Sequence, residues 1–269
     1  QFAATLRAGG VRKGDRVILL LPKSIFAVVA HFAVQAIGAI GVPLNPGFKK
    51  NELEYLITDA GAALIILSPE KKILVQAIDP EIKILEVITS KRYQELTFFK
   101  SAPKSIVVRD GTSEDPALII YTSGTTGSPK GTILTNKNLL HDACNIINTW
   151  EITSDDVLCH VLPLFHVHGL CFALQTLLLK GAHVRMLDQF DPEIVATELS
   201  RSTGDAVCSV FMAVPAMYTR LIDYLNGKCL DFSHMRLLTS GSAPLLPKEF
   251  MRVSQVFGME PVEREGMSE

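Results

Sequence analysis

The chain has 269 residues, 48% hydrophobic and 20% charged, with 26 Lys and Arg against 28 Asp and Glu and a formal net charge of −2. A chain this long buries about three quarters of its unfolded surface, so core size sets no limit; without a basic run or an acidic tail, nucleic acid is not an evident partner. Cys144, Cys159, Cys171, Cys208 and Cys229 form no CxxC pair, which argues against a disulfide framework or a zinc site and fits a reducing compartment, with the cytoplasm as the expected location.

The opening "QFAATLRAGGVRKGDRV" reads as a helix end and a turn with no signal-peptide pattern; because it lacks an initial Met, an upstream segment is expected to have been removed. "RVILLL" predicts a strand and Ser24 an N-cap. The nearly uncharged stretch 25–44, "IFAVVAHFAVQAIGAIGVPL", has the length of a membrane span. His31, Gln35, Gly38 and Gly41 interrupt it, however, and it lies between two strand-like runs, so a buried helix of a βαβ unit is expected and no transmembrane segment. A helix around "NELEYLITDAG", closed by Gly61, leads to the strand "ALIILS".

Between about 86 and 116 the chain turns polar, which suggests a boundary there and lobes at 1–109 and 110–269. "ALIIY" and "GTILT" then read as strands, Asn136 as the cap of "KNLLHDACNIINTW", and "DVLCHVLPL" as a strand. They are followed by a helix "LCFALQTLLLKGA" stopped near Gly181, a strand "HVRML", a helix "DPEIVATELSRS", a strand "AVCSVFMAV", a helix starting at Pro215, a strand "MRLLTSG" and a helix "LPKEFMRVSQVFG". Continuous apolar strands alternating with helices predict an α/β fold of mostly parallel sheet covered by helices.

The eleven residues 121–131, "YTSGTTGSPKG", join "ALIIY" to "GTILT". Gly124 and Gly127 permit close backbone approach, Thr122, Ser123, Thr125 and Thr126 supply hydroxyls, and Lys130 supplies a cation, a donor set suited to a phosphate chain. The spacing is not that of the Walker loop, which also opens into a helix. Composition alone leaves a functionless hairpin equally open.

The segment resembles the phosphate loop of the adenylate-forming superfamily, whose members include acyl-CoA synthetases and peptide adenylation domains. That resemblance implies ATP, its β- and γ-phosphates held by the loop while a carboxylate attacks the α-phosphorus, and CoA as the later co-substrate. "LPLFHVHG" is similar to the family's next element and implies that Phe165 and His166 line the acyl pocket, His166 near the reacting carboxylate; His168 belongs to a narrower "HVHG" pattern resembling malonyl-CoA synthetases. "LLTSGSAPL" resembles the adenine-pocket segment, with Ser240, Gly241, Ser242, Ala243 and Pro244 as one wall, at a strand end where α/β sites gather.

The chain ends in "VEREGMSE", where Gly266, Met267, Ser268 and Glu269 match a family motif and Glu265 replaces its aromatic residue. By that match Ser268 meets the α-phosphate, Glu269 holds Mg²⁺ on the phosphates, and Glu265 weakens adenine stacking. "VFMAVPAMYTRLIDYL" is similar to the same narrower group and implies Met212 in the substrate wall and Arg220 on the far carboxylate of a short dicarboxylate such as malonate.

The implied fold is two stacked lobes of an incomplete N-terminal domain, the C-terminal domain with its catalytic Lys being absent. The expected function is an AMP-forming acid–CoA ligase. Fatty-acid and aromatic-acid ligases, and a nucleotide-binding remnant without catalysis, stand as alternatives, and this length of chain is expected to complete neither half-reaction well. Oligomeric state is not readable.

Overall fold

The computed structural model describes residues 1–89, 111–122 and 127–268. Its contacts divide into two compact units, Gln1–Leu139, with Ser268 counted alongside, and Leu140–Met267.

The first unit is built on β1 (Arg16–Leu20), β2 (Ile40–Pro43), β3 (Leu64–Leu67), β4 (Ile84–Glu86), β5 (Pro116–Thr122) and β6 (Lys130–Thr135), ordered β4-β3-β1-β2-β5-β6. All neighbours are parallel except β5 and β6, which form an antiparallel hairpin. Among the described residues the unit's α-helices are α1 (Phe2–Ala8), α2 (Ile25–Ala36), α3 (Lys50–Ala60) and α4 (Lys72–Gln76).

The apolar stretch from Ile25 is thus a 12-residue helix returning into β2, and among the described residues no helix is long and apolar enough to cross a membrane. Its start is fixed by Ser24, whose hydroxyl accepts the Ala27 N–H at 3.1 Å. α3 ends on Gly61 at φ 52°, the left-handed conformation expected of a C-cap glycine. Leu53, Leu56 and Ile57 of α3 pack on Ile18, Leu20, Val42, Ile65 and Leu67 of the strands; the 3.6-residue period of the helix meets the continuous apolar runs of a sheet covered on its face.

The division falls after Leu139, later than the boundary expected at 109/110. β5 adds to β2 through Gly41 and Leu118, so the hairpin carrying "YTSGTTGSPKG" completes the first sheet instead of opening the second. A pairing across so many residues leaves no local mark in the sequence.

The second unit has a parallel sheet ordered β11-β10-β9-β7-β8, from β7 (Val157–His160), β8 (His183–Met186), β9 (Val210–Ala213), β10 (Leu237–Ser240) and β11 (Val262–Glu263). α5 (Asn136–Thr149) leads into it. The cap of α5 is Thr135, one residue before the Asn136 expected: its Oγ1 accepts the Asn138 N–H at 3.1 Å while its own N–H donates to Asn138 Oδ1 at 3.0 Å, a reciprocal capping pair.

The helix expected in "LCFALQTLLLKGA" begins instead as a π-helical segment, His168–Gln175, and becomes α-helical only as α6 (Thr176–Lys180), closed by Gly181. α7 (Pro192–Ser200), α8 (Pro215–Leu225) and α9 (Pro247–Phe257) each start on a proline, which needs no N–H partner there. Phe211, Tyr218, Leu221, Leu238 and Val253 form the core between α8, α9 and the sheet.

An ion pair between a buried aspartate and a partly exposed arginine ties this unit together. The Asp156 carboxylate is 3% exposed and accepts from Arg236 Nε at 2.7 Å, Ser209 Oγ at 2.8 Å and the Thr153 N–H at 2.8 Å. The same guanidinium donates to the carbonyls of Trp150 and Glu151, both at 3.1 Å, just past the end of α5.

Candidate functional site

In the first unit the hairpin register pairs Tyr121 with Gly131 and Thr122 with Lys130, so the phosphate-loop candidate is held at both stems. Thr122 is the last residue of β5, Lys130 the exposed first residue of β6, and Gly127 is exposed. Ser123, Gly124, Thr125 and Thr126 lie outside the described residues, as does Glu269. An exposed lysine followed by a glycine at the start of β6 offers a charge that suits a phosphate chain.

In the second unit, the turn after β7 and the turn after β10 are joined directly: His168 Nδ1 lies 2.9 Å from Ser242 Oγ. His168 is 3% exposed and its Nε2 has no hydrogen-bond partner among the described residues. Burial chiefly, with the charge of Arg264 and the nearness of His166, lowers its pKa to about 4, so the ring is neutral near pH 7 and the hydrogen bond to Ser242 joins two uncharged groups. Ser242 sits at φ 67°, in the left-handed region that non-glycine residues enter at a cost of order 1 kcal/mol, which here turns its hydroxyl to the imidazole.

The π-helical start supplies the geometry around His168. His160 Nε2 lies 2.9 Å from the Gly169 carbonyl oxygen; a carbonyl only accepts, so this nitrogen carries the proton and anchors the turn from the end of β7. Gly169 is obligatory, since a Cβ there would stand 2.1 Å from the Pro163 carbonyl oxygen. His166 is exposed on the surface of the turn with Phe165 tilted against it at 4.6 Å, and burial of part of its ring lowers its pKa.

Arg264 is the residue that the sequence reading passed over. Its guanidinium carbon lies 3.4 Å from the centre of the Phe172 ring, and the ring in turn meets His168 and Trp150 edge-on at 6.0 and 5.4 Å. Gly241 lets the arginine stem cross the turn, because a Cβ there would meet Arg264 Cγ at 2.7 Å. Burial lowers the arginine's pKa and Asp142 acts against that from farther off. Among the described residues no carboxylate pairs with Arg264 at ion-pair distance, and its Nε is buried without a hydrogen-bond partner.

The remaining candidates are placed as follows. Ser240 is buried at the end of β10, Ala243 and Pro244 are exposed on the turn after it, and Glu265, Gly266 and Met267 are exposed, with Ser268 half-buried. Met212 is 1% exposed in the core with Leu158, Leu162 and Leu177, so it is a packing residue and not a wall open to a ligand. Arg220 is exposed on α8 with its guanidinium 4.9 Å from the Phe190 ring, and no described hydrogen bond, ion pair or ring contact joins it to His168, Ser242 or Arg264. Among the described residues no cluster of three or more His, Cys, Asp or Glu suits a metal ion.

The family model described as AMP-binding enzyme matches residues 1–269. The mitochondrial malonate–CoA ligase ACSF3 of Homo sapiens is 34% identical over 277 residues, spanning 97% of this chain and 47% of its own. A feruloyl-CoA synthase of Amycolatopsis is 35% identical over 91% of this chain and 48% of its own. Among solved structures, ATP-bound MatB from Rhodopseudomonas palustris matches with a TM-score of 0.88 at 34% identity, over 98% of this chain and 52% of that one. The chain thus spans about half the length of the relatives it matches.

Proposed function

The chain belongs to the AMP-binding enzyme family, and from that premise we propose that it provides the ATP-gripping and acid-gripping portion of an AMP-forming acid–CoA ligase. In that reading a carboxylate oxygen attacks the α-phosphorus of ATP and releases pyrophosphate, and the CoA thiol then displaces AMP to give the thioester. Lys130 and the hydroxyls and N–H groups of 122–127 receive the phosphate tail; Ser240, Gly241, Ser242, Ala243 and Pro244 border the base; Gly266, Met267 and Ser268 follow along the nucleotide. Glu269 would carry Mg²⁺, which screens the phosphate charge when bound. His166 and Phe165 stand by the reacting carboxyl group.

The substrate we propose is a short dicarboxylate, of which malonate is the acid named for one of the relatives above, the ligase ACSF3. The observation that carries it is Arg264. An arginine keeps its proton under all ordinary conditions, so a partly desolvated guanidinium without a carboxylate partner among the described residues stores an unmet electrostatic demand that a ligand carboxylate relieves. Its planar fork suits that group better than an ammonium would, and the neutral Nε2 edge of His168 lies in the same cluster. The anchor expected at Arg220 therefore moves to Arg264. An aromatic monocarboxylate is the second reading, favoured by the Trp150–Phe172–His168 ring cluster.

The deciding experiment compares pyrophosphate release with malonate, methylmalonate, acetate, hexanoate and ferulate in the full-length protein that carries this chain and in its Arg264→Gln and Arg220→Gln variants. Removing one partner of a buried charge pair costs about 2–5 kcal/mol, so Arg264→Gln is expected to cut malonate turnover about thirtyfold or more while acetate changes little. Equal wild-type rates with acetate and malonate would refute the dicarboxylate reading. Transfer of the whole effect to Arg220→Gln would return the anchor to the outer face of α8, and preference for ferulate would favour the second reading.

A further inference from the structure

The geometry points to helix α3 as a two-point clamp on the phosphate-loop hairpin, with Tyr55 and Asp59 as positioning residues for Lys130. This rests on the reading of 121–131 as the nucleotide's phosphate grip. Tyr55 and Asp59 stand four residues apart, one above the other on one face of α3. Each holds a different stem: the Tyr55 hydroxyl donates to the Pro129 carbonyl at 3.0 Å, and Asp59 Oδ2 accepts the Tyr121 hydroxyl at 2.6 Å. Pro129 immediately precedes Lys130, and Tyr121 lies directly across the hairpin from Gly131, which immediately follows it. Lys130 is therefore bracketed by the two tethers.

The second tether depends on a missing side chain. A Cβ on Gly131 would meet Ile119 Cγ2 at 2.9 Å and Tyr121 Cε1 at 3.4 Å, so the glycine leaves the space across which the Tyr121 ring lies to reach α3. Burial, and then the Asp59 carboxylate, raise the pKa of the Tyr121 hydroxyl, which keeps it a donor across the physiological range and makes the bond charge-assisted and short. α3 is in turn a fixed support. Its first turn is closed by the Lys49 N–H donating to Glu52 Oε2 at 2.9 Å, and the Gly61 carbonyl at its end accepts from Arg16 Nη2 at 2.8 Å. A glycine-rich loop has high intrinsic backbone entropy; two tethers at its stems lower the ordering cost that a phosphate chain would otherwise meet on binding.

The test is the affinity of this chain for ATP and for AMP, measured by calorimetry in the wild type and in Tyr55→Phe, Asp59→Asn, Tyr121→Phe and the Asp59→Asn/Tyr121→Phe double variant. AMP lacks the two phosphates that the hairpin is read to hold. Loss of one tether is expected to weaken ATP about three- to tenfold, the range of one hydrogen bond, with AMP affinity unchanged. Asp59→Asn leaves an amide oxygen that still accepts and removes only the charge on the bond, so it should weaken ATP less than Tyr121→Phe, which removes the bond, and the double variant should be no weaker than Tyr121→Phe. Variants that bind ATP as tightly as wild type would overturn the clamp alone. Equal losses for ATP and AMP would make the contacts merely structural and also overturn it. A wild-type chain that binds neither nucleotide would overturn the phosphate-grip reading and this inference with it.

Discussion

Replacing Gly169 by alanine strikes at the turn that presents His168, and the size of its effect follows from three distances. The new Cβ would lie 2.1 Å from the Pro163 carbonyl oxygen and 3.0 Å from both the Pro163 carbonyl carbon and Leu162 Cβ. An ordinary carbon–oxygen contact is about 3.3 Å, so the shortfall against the oxygen is roughly 1.2 Å. That oxygen belongs to the backbone, and no rotamer change can withdraw it. Either Leu162–Pro163 or the start of the π-helical turn must move, and a shift of that size breaks the His160–Gly169 hydrogen bond of 2.9 Å. Overpacking of about 1–3 kcal/mol and one hydrogen bond of about 0.5–1.5 kcal/mol, less about 0.4–1 kcal/mol regained from the stiffer unfolded chain, give a net loss of about 0.5–4 kcal/mol, centred near about 2 kcal/mol. At about 2–4 °C per kcal/mol, the central value lowers thermal unfolding by roughly 4–8 °C. Calorimetry gives the stability, and imidazole nitrogen shifts of His168 report whether its bond to Ser242 survives. A melting temperature within a degree of wild type, with an unmoved His168 signal, would refute the account of the turn.

Asp156→Asn should cost about 2–3 kcal/mol in urea unfolding, below the range of about 3–5 kcal/mol for breaking a fully buried pair because Arg236 is partly exposed. In the wild type, burial alone would raise the Asp156 pKa, but the hydrogen bonds from Arg236, Thr153 and Ser209 outweigh it and hold the carboxyl below the usual range. The unfolded chain therefore takes up the proton first as pH falls. The contribution is complete above the ordinary carboxylate pKa near about 4 and is lost as pH drops through the lower folded value, so acid unfolding of the variant should show a weaker pH dependence there; an identical dependence would remove Asp156 from the account. The His168 imidazole should remain neutral until about pH 4 in an NMR titration, and a midpoint near the ordinary value of about 6.5 would show it solvated. Glu265→Tyr should tighten ATP by about two- to tenfold, the worth of one ring stack of about 0.5–1.5 kcal/mol; unchanged affinity would separate position 265 from the adenine.

The order of strands and helices could be read from residue chemistry because apolar runs, capping residues and glycine stops act locally. Ser24, Gly61, Pro215 and Gly181 stand where their backbone preferences place them. What escaped the sequence depends on distance or on a geometry that leaves no distinct pattern. The pairing of Gly41 with Leu118 moved the division of the chain past the hairpin. The wider turn at His168–Gln175 has the same apolar composition as an α-helix, and only the approach of Gly169 to Pro163 separates them. Met212 was chosen by its strand, but side chains alternate between the two faces of a strand and this one enters the core. Arg264 escaped because a charged residue in a polar tail reads as solvated, and nothing local marks that Phe172 and Gly241 receive it.

Under the proposed dicarboxylate reading, Arg264 and His168 together would let charge count select the acid. Were His168 protonated, two positive groups would share one desolvated cluster and would oppose each other. The Arg264 charge is itself among the causes that hold the imidazole neutral. One cation therefore remains, with a neutral hydrogen-bonding edge beside it. A monocarboxylate whose only charged group goes to the phosphorus leaves that cation unmet, whereas a short dicarboxylate supplies one further negative charge to it. Discrimination then depends on a single pairing in a low-dielectric site, where such a pairing counts for far more than at an exposed surface such as that around Arg220.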